Sequence, residues 1–353
     1  MKNKHLFYTL QLARSKNLGP KTFDKLLFEH GTPKKIIENI SKYPSIELAD
    51  DADIWKEMEE VESLGAKFLS VMDEGYPELL KEVPDFPIIL TLKGDLSLLK
   101  SKKAAIVGSR NASINSLDLT QEISQELSDN GVVIVSGLAK GIDLAAHKGA
   151  IKRGTIAVIA GGIDNIYPKE NEEFFEKIAR NGLIISEQKF GARPIASNFI
   201  ARNRIVSAIS DVVLIAQGSA RSGSMTTARF AYEQGKRIYA IPGSILDDRF
   251  AGTNALIKEK KADILSSISD ILAEFKTVQV EEKYEVEDSG CDEILQYLSF
   301  EPLSIDNLVK NSGIWVSELN SRLVELELLG KITISGENIS LKKQKFRQNH
   351  DKI

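Results

Sequence analysis

The segment AAIVGSR at 104–110 and the segment VVIVSGLAKGID at 132–143 decide the fold of this chain. Each begins with four apolar residues and runs into a glycine-containing turn. Similar apolar runs, separated by helix-like stretches, lie at 88–90, 155–160, 183–185, 212–216 and 237–241. Nearly continuous apolar strands that alternate with helices indicate a parallel sheet covered on both faces. We therefore predict a Rossmann-like, doubly wound, mostly parallel α/β domain over residues 69–275.

The residues before this domain, 1–68, predict a small helical domain of the SAM-like type. Gly19-Pro20 starts a helix, because proline is tolerated in the first helical turn. Gly31 supplies a stop for the same helix. Between them lies an i, i+3, i+4 apolar stripe, formed by Phe23, Leu26 and Leu27.

The last part of the chain separates into a linker, a small domain and a tail. Residues 276–290 are acidic and lack a core pattern, so they are expected to be a linker. Residues 291–343 predict three helices followed by a β-hairpin, which is the plan of a winged helix. Residues 344–353 are expected to be a frayed tail of mixed charge.

Two serines are expected to cap helices of the winged-helix domain. Ser304 is predicted to cap the second helix and Ser317 the third, which ends at Gly330. The hairpin strands are expected at 331–334 and 339–341. Polar residues off the apolar stripe of the third helix are Glu318, Asn320, Arg322, Glu325 and Glu327. Three carboxylates against one arginine make a poor surface for phosphate, so we favour a protein-contact or regulatory role for this domain.

The composition is that of a globular protein with several domains. The chain has 353 residues, of which 42% are hydrophobic and 27% charged. Its single cysteine, Cys291, excludes an intramolecular disulfide and suits a reducing compartment. No run of 18 apolar residues occurs, so we expect a cytoplasmic protein without a membrane span. The net charge of −4 decides nothing about nucleic acid, because phosphate binding depends on the local field.

The turns that follow the predicted strands carry the candidate site, since ligands of open parallel sheets bind beyond the carboxyl ends of the strands. These turns are rich in glycine, serine and threonine, whose backbone and side-chain groups can approach and bind phosphate. They are GSR at 108–110, SGLAKGID at 136–143, GG through YPKEN at 161–171, SE at 186–187, QGSARSGSMTTA at 217–228 and PGS at 242–244, with FIARNR at 199–204 between the fourth and fifth strands of this set.

Cationic and aromatic residues accompany these turns. The cations are Arg110, Lys140, Lys169, Arg202, Arg204 and Arg221. Tyr167 and Phe199 lie among them and can stack on unpaired bases. Several phosphate-seeking turns on one rim suit an extended polyanion better than a single small phosphate. The pattern therefore predicts a groove for single-stranded nucleic acid.

Each residue also has a structural interpretation. His147, beside two alanines, is typical of a helix residue packed under a loop, and Asp143 can simply orient the glycine turn. Phe199 can be a core residue, and Asn203 and Arg204 can tie neighbouring loops together. Their joint placement at strand ends is what favours the functional interpretation.

Enzyme motifs are missing from the sequence. It contains no G-x-x-x-x-G-K-[ST] loop, no G-x-S-x-G elbow and no G-x-G-x-x-G after the first strand. Its four histidines, at 5, 30, 147 and 350, show no metal-ligand spacing with the one cysteine. We therefore expect a binding protein without cofactor or metal, and not an enzyme.

The order of these motifs resembles the DNA-processing protein A (DprA/Smf) family. The resemblance extends over about 75–258 and rests on VGSR, SGLAKGID with His147, YPKEN, SE, F-x-x-RNR, SGSMTTA, IPG and GTN, with GYP at 75–77 and KGD at 93–95 before them. It implies an extended Rossmann fold, homodimerisation through that domain and binding of single-stranded DNA. It further implies delivery of the recombinase RecA onto incoming strands during natural transformation, with protection of the DNA from nucleases.

The resemblance also implies which residues contact DNA. Gly108, Ser109 and Arg110 match the family's phosphate-binding turn. The basic, polar and aromatic positions of the same groove match Lys140, Lys169, Asn171, Phe199, Arg202 and Arg204. The family's serine-glycine turn matches Ser222, Gly223 and Ser224. The chain departs from the family at Gln217, where an acidic residue is usual, and at Met225-Thr226, which replaces leucine-isoleucine.

Two other functions stay open at this point. A nucleotide-processing phosphoribohydrolase of the lysine-decarboxylase-like group also has glycine-rich strand ends on a Rossmann sheet. That chemistry needs an acidic residue in the first turn of the helix that begins at Thr226, whereas the first carboxylate there is Glu233. A scaffold that only recruits partners through its terminal domains is the second alternative.

Overall fold

The computed structural model describes residues 2–275, 293–299, 302–314, 316–336 and 338–341. The chain divides into two compact units, Met1–Thr277 and Val278–Ile353. The predicted linker at 276–290 and the predicted tail at 344–353 lie outside the described residues.

Four helices form the start of the first unit: α1 Lys2–Arg14, α2 Pro20–His30, α3 Pro33–Glu38 and α4 Asp51–Ser63. Their shared core includes Phe23 and Leu26 of the predicted stripe, together with Ile36 and Ile54. Gly31 ends α2 in the left-handed region, at φ 78°, and its N–H donates to the Leu27 carbonyl. The predicted start and stop of this helix are confirmed.

A nine-stranded sheet fills the rest of the first unit. In chain order its strands are β1 Lys67–Ser70, β2 Ile89–Gly94, β3 Lys103–Gly108, β4 Val133–Ser136, β5 Thr155–Ile159, β6 Leu183–Ser186, β7 Val212–Gln217, β8 Arg237–Ala240 and β9 Asp263–Ile264. In space they follow the order β1-β2-β6-β5-β4-β3-β7-β8-β9. The seven strands from β6 to β9 in that order are parallel, whereas β1 and β2 are antiparallel to their neighbours.

Helices cover both faces of this sheet, as the continuous apolar runs predict. A short helix, α5 Glu78–Lys81, precedes β2. The remaining helices are α6 Ile114–Asp129, α7 Ile142–Ala150, α8 Glu172–Asn181, α9 Ala196–Ala208, α10 Gly223–Glu233, α11 Ala251–Lys258 and α12 Ile268–Ala273. The two faces are set by strand alternation: Ile106 packs against α6 and α7, while Ala105 and Val107 pack against the α9 and α10 side. No helix in the described ranges is long and apolar enough to cross a bilayer.

The order of the crossovers positions the site. From β3 the chain moves through α6, α7 and α8 to β4, β5 and β6 in one direction, and α9 then returns it to β7 on the other side of β3. Because β3 to β8 are parallel, the turns that follow them meet at one edge of the sheet. The predicted doubly wound fold is confirmed, and every apolar run quoted from the sequence overlaps a strand from β2 to β8.

The second unit has the winged-helix plan. A 3₁₀ helix at Glu293–Tyr297 is followed by β10 Leu303–Ser304, α13 Ile305–Ser312, α14 Val316–Leu328, β11 Ile332–Ser335 and β12 Asn338–Leu341. The three strands form an antiparallel sheet in the order β10-β12-β11.

Two expectations for this unit have different outcomes. The Ser304 hydroxyl accepts from the Asn307 N–H at 3.3 Å, so the predicted cap of α13 is confirmed. The predicted cap at Ser317 is wrong, because α14 already begins at Val316. The core of this unit contains Leu308 and Ile332 together with three apolar residues of α14, which are Leu319, Leu323 and Leu326.

Candidate nucleic-acid interface

A cavity of about 500 Å³ opens at the carboxyl ends of β3, β4 and β5. Its floor is made of small residues, Gly137, Ala139, Ala160 and Gly161, and its sides carry cations and aromatic rings. We call this cavity the strand-end groove, and its cationic and aromatic side chains, all exposed or half-buried, are Arg110, Lys140, Lys169, Tyr167 and Phe199. Four of these five belong to the predicted site, and Tyr167 was predicted to stack on bases.

The cations of the strand-end groove differ in how they are held. The Arg110 guanidinium lies 5.1 Å from the centre of the Phe199 ring and, within the described ranges, makes no hydrogen bond or ion pair. Lys140 forms an exposed ion pair of 3.3 Å with Glu170, and Lys169 is also exposed. A cation over an aromatic face is held weakly, so Arg110 is ready to bind an anion.

Two aromatic rings also line the strand-end groove, and one of them lies beside Arg110. The centres of the Tyr167 and Phe199 rings lie 5.6 Å apart, with an angle of 66° between the ring planes. Tyr167 is 52% exposed and Phe199 is half-buried, so Phe199 is not a core residue. Exposed ring faces beside cations can stack on unpaired bases.

The turn after β3 presents a side chain rather than backbone N–H groups. The Ser109 N–H donates to the Gln217 carbonyl at 2.7 Å, and the Asn111 N–H donates to the Ser109 hydroxyl at 3.1 Å. The family resemblance implies that this turn binds phosphate, but the N–H groups of Ser109 and Asn111 already donate within the protein. Gly108 allows the turn, since a Cβ atom there would lie 2.7 Å from the Gln217 carbonyl oxygen.

Arg202 lies beneath the groove and not on its surface. It is 6% exposed, and its Nη1 donates to the carbonyls of Gly137 and Val158. Its Nε donates to Asn203 at 3.1 Å. The expectation that Arg202 follows the DNA backbone therefore does not fit the structure, because its guanidinium is enclosed and its donors face protein carbonyls.

A buried carboxyl accompanies this guanidinium. Burial lowers the pKa of Arg202, and the negative charge of Asp143 opposes that change. Burial likewise raises the pKa of Asp143, against the lowering effects of Arg202 and of the backbone N–H groups of Ala139, Gly108 and Gly137. Asp143 thus orients the turns after β3 and β4, which is the structural interpretation given to it from the sequence.

Arg204 and Asn171 also have internal partners. The Arg204 Nε donates to Asp85 at 2.8 Å and its Nη2 to Glu187 at 2.6 Å. Asn171 is buried and its Nδ2 donates to the Leu138 carbonyl at 3.0 Å. Neither residue lines the strand-end groove, and the expectation that they contact DNA does not fit these contacts. They hold the segments that carry the groove residues.

The serine-glycine turn starts α10 at the neighbouring strand end. The Ser222 hydroxyl accepts from the Ser224 N–H at 3.3 Å and lies 2.8 Å from the Ser224 hydroxyl, while Gly223 is exposed. The turn lies outside the groove lining, but it follows β7, which pairs with β3. Gln217, the departure from the family pattern, is buried and accepts from the Ser113 N–H at 3.0 Å, so it does anchor the turn after β3.

The sequence analysis did not predict an acidic residue in the groove. Glu170 lines the cavity between Lys169 and Asn171 of the YPKEN motif, and it is the acidic member of the lining. The backbone N–H of Glu170 itself, and then the hydrogen bond and charge of Lys140, lower the pKa of the Glu170 carboxyl. The motif that pointed to its neighbours contained this residue too, but a carboxylate was not expected where phosphate binds.

His147 is a structural residue of α7. Thr155 donates its hydroxyl proton to the Ile134 carbonyl, so the 2.8 Å contact between Thr155 Oγ1 and His147 Nδ1 places the proton on Nδ1. The bare Nε2 is buried without a hydrogen-bond partner among the described residues. Burial, with a further effect of Arg202, lowers the pKa of His147 to about 3. The described residues contain no group of three or more His, Cys, Asp or Glu side chains suited to a metal.

Three family models match the chain along most of its length. The model for DNA recombination-mediator protein A matches residues 67–276, the DprA-like N-terminal HHH domain matches 3–59, and the DprA winged helix domain matches 284–336.

Curated relatives agree with these matches. DNA processing protein DprA of Streptococcus pneumoniae is 43% identical over 229 residues, which cover 64% of this chain and 79% of that protein. DNA processing protein DprA of Bacillus subtilis is 39% identical over 225 residues, covering 62% and 75%. Protein Smf of Escherichia coli is 33% identical over 272 residues, covering 73% of each chain.

Two solved structures share the fold. The X-ray structure of DNA processing protein A from Streptococcus pneumoniae superposes with a TM-score of 0.61 at 40% identity, covering 70% of this chain and 83% of that one. A structure of DNA processing protein A from Helicobacter pylori, which is described as giving insight into its single-stranded DNA binding mode, has a TM-score of 0.56 at 36% identity. The second match covers 60% of this chain and 95% of that one.

Acid is expected to destabilise the first unit through His147. The pKa of this residue is 6.5 in the unfolded reference and about 3 in the fold. Its stabilising contribution is therefore complete above pH 6.5 and is lost progressively as the pH falls towards 3, because only the unfolded chain takes up the proton. From this group alone the free energy of unfolding should fall by about 1.4 kcal/mol per pH unit below 6.5. Urea unfolding at pH 7.5, 6.5 and 5.5 measures the slope. His147→Asn, whose amide replaces Nδ1–H, should flatten it, and an unchanged slope would contradict the assignment.

Proposed function

The chain belongs to the DNA recombination-mediator protein A (DprA/Smf) family, and from that membership we propose that it binds single-stranded DNA in the strand-end groove. The observation that carries the proposal is the exposed Arg110 guanidinium, which lies beside Phe199 in a cavity floored by small residues and has no hydrogen bond or ion pair to the part of the chain that the structure describes. The described binding mode of the Helicobacter pylori relative supports the same ligand.

The cations of the groove suit the phosphates of a single strand, and its aromatic rings suit the bases. Arg110, Lys140 and Lys169 supply positive charge for successive phosphates, which fixes the strand without reading its sequence. Tyr167 and Phe199 supply ring faces for the bases. A duplex keeps its bases paired inside, so it can use the cations but not the rings. We therefore propose a preference for single strands.

We propose different roles for the twelve predicted site residues. Arg110, Lys140, Lys169 and Phe199 are proposed DNA contacts, and Gly108 and Ser109 shape the turn that carries Arg110. We propose a structural role for Arg202, Arg204 and Asn171, whose internal hydrogen bonds fix the segments that carry the groove residues. Ser222, Gly223 and Ser224, next to exposed Arg221, are proposed to meet a longer strand, because their turn lies beside that of β3. We keep 69–275 as the proposed DNA-binding domain.

The cellular role is proposed from the family. We propose that the chain acts in the cytoplasm as a mediator that protects incoming single strands and loads RecA onto them, without altering the DNA chemically. The description of the matching family as a recombination mediator supports this role. We also propose a homodimer through the Rossmann-like domain, since two grooves would raise avidity for longer strands. Sedimentation of the full chain as a monomer at working concentrations would contradict the dimer.

Arg110→Ala is expected to weaken binding to oligo(dT) and to change its salt dependence. Three phosphate contacts on a single strand predict a slope of log K against log salt of about −2, and the loss of one contact should reduce it to about −1.4. Fluorescence anisotropy at four salt concentrations measures both quantities. Arg153→Ala removes an exposed arginine that is paired with Asp129, outside the groove lining, and should leave both unchanged. Wild-type affinity and slope in Arg110→Ala would exclude the groove assignment.

Glu170→Gln is expected to strengthen binding. The carboxylate lies in the groove and pairs with Lys140, so it competes with phosphate for that cation. Neutralising it should raise the affinity for oligo(dT) by about two- to fivefold at low salt, the size expected for one exposed charge pair. Glu173→Gln, which removes an exposed pair with Lys177 on α8, is the matched control. Weaker binding by Glu170→Gln would show that the carboxylate supports the strand and does not oppose it.

The loading role is tested with purified RecA on an oligonucleotide covered by single-strand-binding protein. Wild-type protein is expected to shorten the lag before RecA filaments form, because a mediator holds the strand for the recombinase. Arg110→Ala should remove this effect in proportion to its loss of DNA affinity. The measurement is the lag of RecA-dependent ATP hydrolysis. Full DNA binding without any change in the lag would restrict the function to binding and protection.

A further inference from the structure

The helical part of the first unit contains a buried charged pair that DNA binding does not use. Glu57 of α4 is 1% exposed, and both of its carboxylate oxygens accept from Arg14 of α1, at 3.0 to 3.2 Å. Removing two charges from water is unfavourable, and such a pair persists only with good geometry and further hydrogen bonds. The question is what these further bonds hold.

Those bonds reach the segment that follows β6. The Phe190 N–H donates to Glu57 at 3.1 Å, and Arg14 Nη1 donates to the Glu187 carbonyl at 3.3 Å. The Glu187 side chain in turn accepts from Arg204 of α9 at 2.6 Å. Helices α1 and α4 therefore hold residues 187–190 by the backbone, and α9 is tied to the same residues by an ion pair.

The other side of this segment forms part of the strand-end groove. The Ala192 carbonyl accepts from the Gly162 N–H at 2.8 Å, and the Gln188 side chain accepts from Asn198 at 3.3 Å. Pro194 lines the cavity, and Phe199 projects into it from the start of α9. Residues 187–199 thus run from the helical domain on one side to the aromatic side of the groove on the other.

We propose that Glu57 and Arg14 are positioning residues of the DNA groove, and that the N-terminal helical domain fixes Phe199 in its place beside Arg110. Neither residue touches the groove, and both act through the backbone of residues 187–190. The proposal rests on the proposed function and deepens it. It assigns the helical domain a part in base stacking and none in phosphate binding.

The test compares two ligands of equal length, oligo(dT) and an abasic strand that has phosphates but no bases. Phe199→Ala should weaken oligo(dT) binding by about tenfold and leave the abasic strand unaffected, because it removes stacking. Glu57→Ala should weaken oligo(dT) binding by about three- to fivefold, as a displaced ring stacks less well, with the abasic strand again unaffected. Glu47→Ala, which removes the exposed pair with Lys16 in the same domain, should change neither.

A double-mutant cycle and a conservative variant separate positioning from general destabilisation. In a Phe199→Ala background, Glu57→Ala should cause no further loss, because the residue through which it acts is absent. Glu57→Gln keeps an acceptor for the Phe190 N–H and should retain most of the oligo(dT) affinity even if Glu57→Ala folds poorly. Thermal melting and titration of the active fraction accompany each variant.

The outcomes are distinguishable. Equal losses for oligo(dT) and the abasic strand in a folded Glu57→Ala variant, or full additivity of Glu57→Ala with Phe199→Ala, would overturn the positioning role while leaving DNA binding intact. Failure of the wild-type protein to bind oligo(dT) at all would overturn the proposed function and this inference with it.

Discussion

The groove depends on the contact between the buried guanidinium of Arg202 and Gly137, whose lack of a side chain leaves room for it. Arg202 of α9 donates to carbonyls after β4 and within β5, and a Cβ atom on Gly137 would lie 2.2 Å from its Nη1. Through these hydrogen bonds α9 packs against β4 and β5 near the carboxyl ends of the two strands. Because Asp143 offsets the charge from α7, an arginine can be enclosed there. The floor of the cavity and the start of α9 are therefore fixed together.

Three arginines of the first unit are enclosed, whereas Arg110 of the strand-end groove is exposed. Arginines that are enclosed bind carbonyls or carboxylates: Arg202 in the floor, Arg204 with Asp85 and Glu187, and Arg14 with Glu57. Arg110, which is exposed, lies over an aromatic ring and makes no ion pair with any residue that the structure describes. Enclosed pairs fix geometry at a desolvation cost, while an unpaired surface cation is available to an anion. This division explains how a chain with a net charge of −4 presents a cationic groove.

The sequence predicted the central strands because they are buried on both faces and carry continuous apolar runs. It missed β1 and β9, which lie at the two edges, pair on one side and have exposed positions. The same limit applies to the site. The order of the motifs located the strand-end turns. The sequence did not show, however, which of Arg110, Arg202 and Arg204 is exposed. Which of them is enclosed depends on how α9 packs over β4 and β5, and that packing is set by contacts far apart in the chain.

In the winged-helix unit, charged side chains of α14 have partners within the unit. In α14, Arg322 is engaged with Glu318 at 2.9 Å, and Glu327 accepts from the Ile334 N–H at 3.1 Å. Val316 and Val324 are half exposed on the same helix. A recognition helix that met duplex phosphates would carry cations without carboxylate partners. The exposed valines and the paired charges of α14 lack that feature, and the protein-contact or regulatory role expected for this domain stays a prediction.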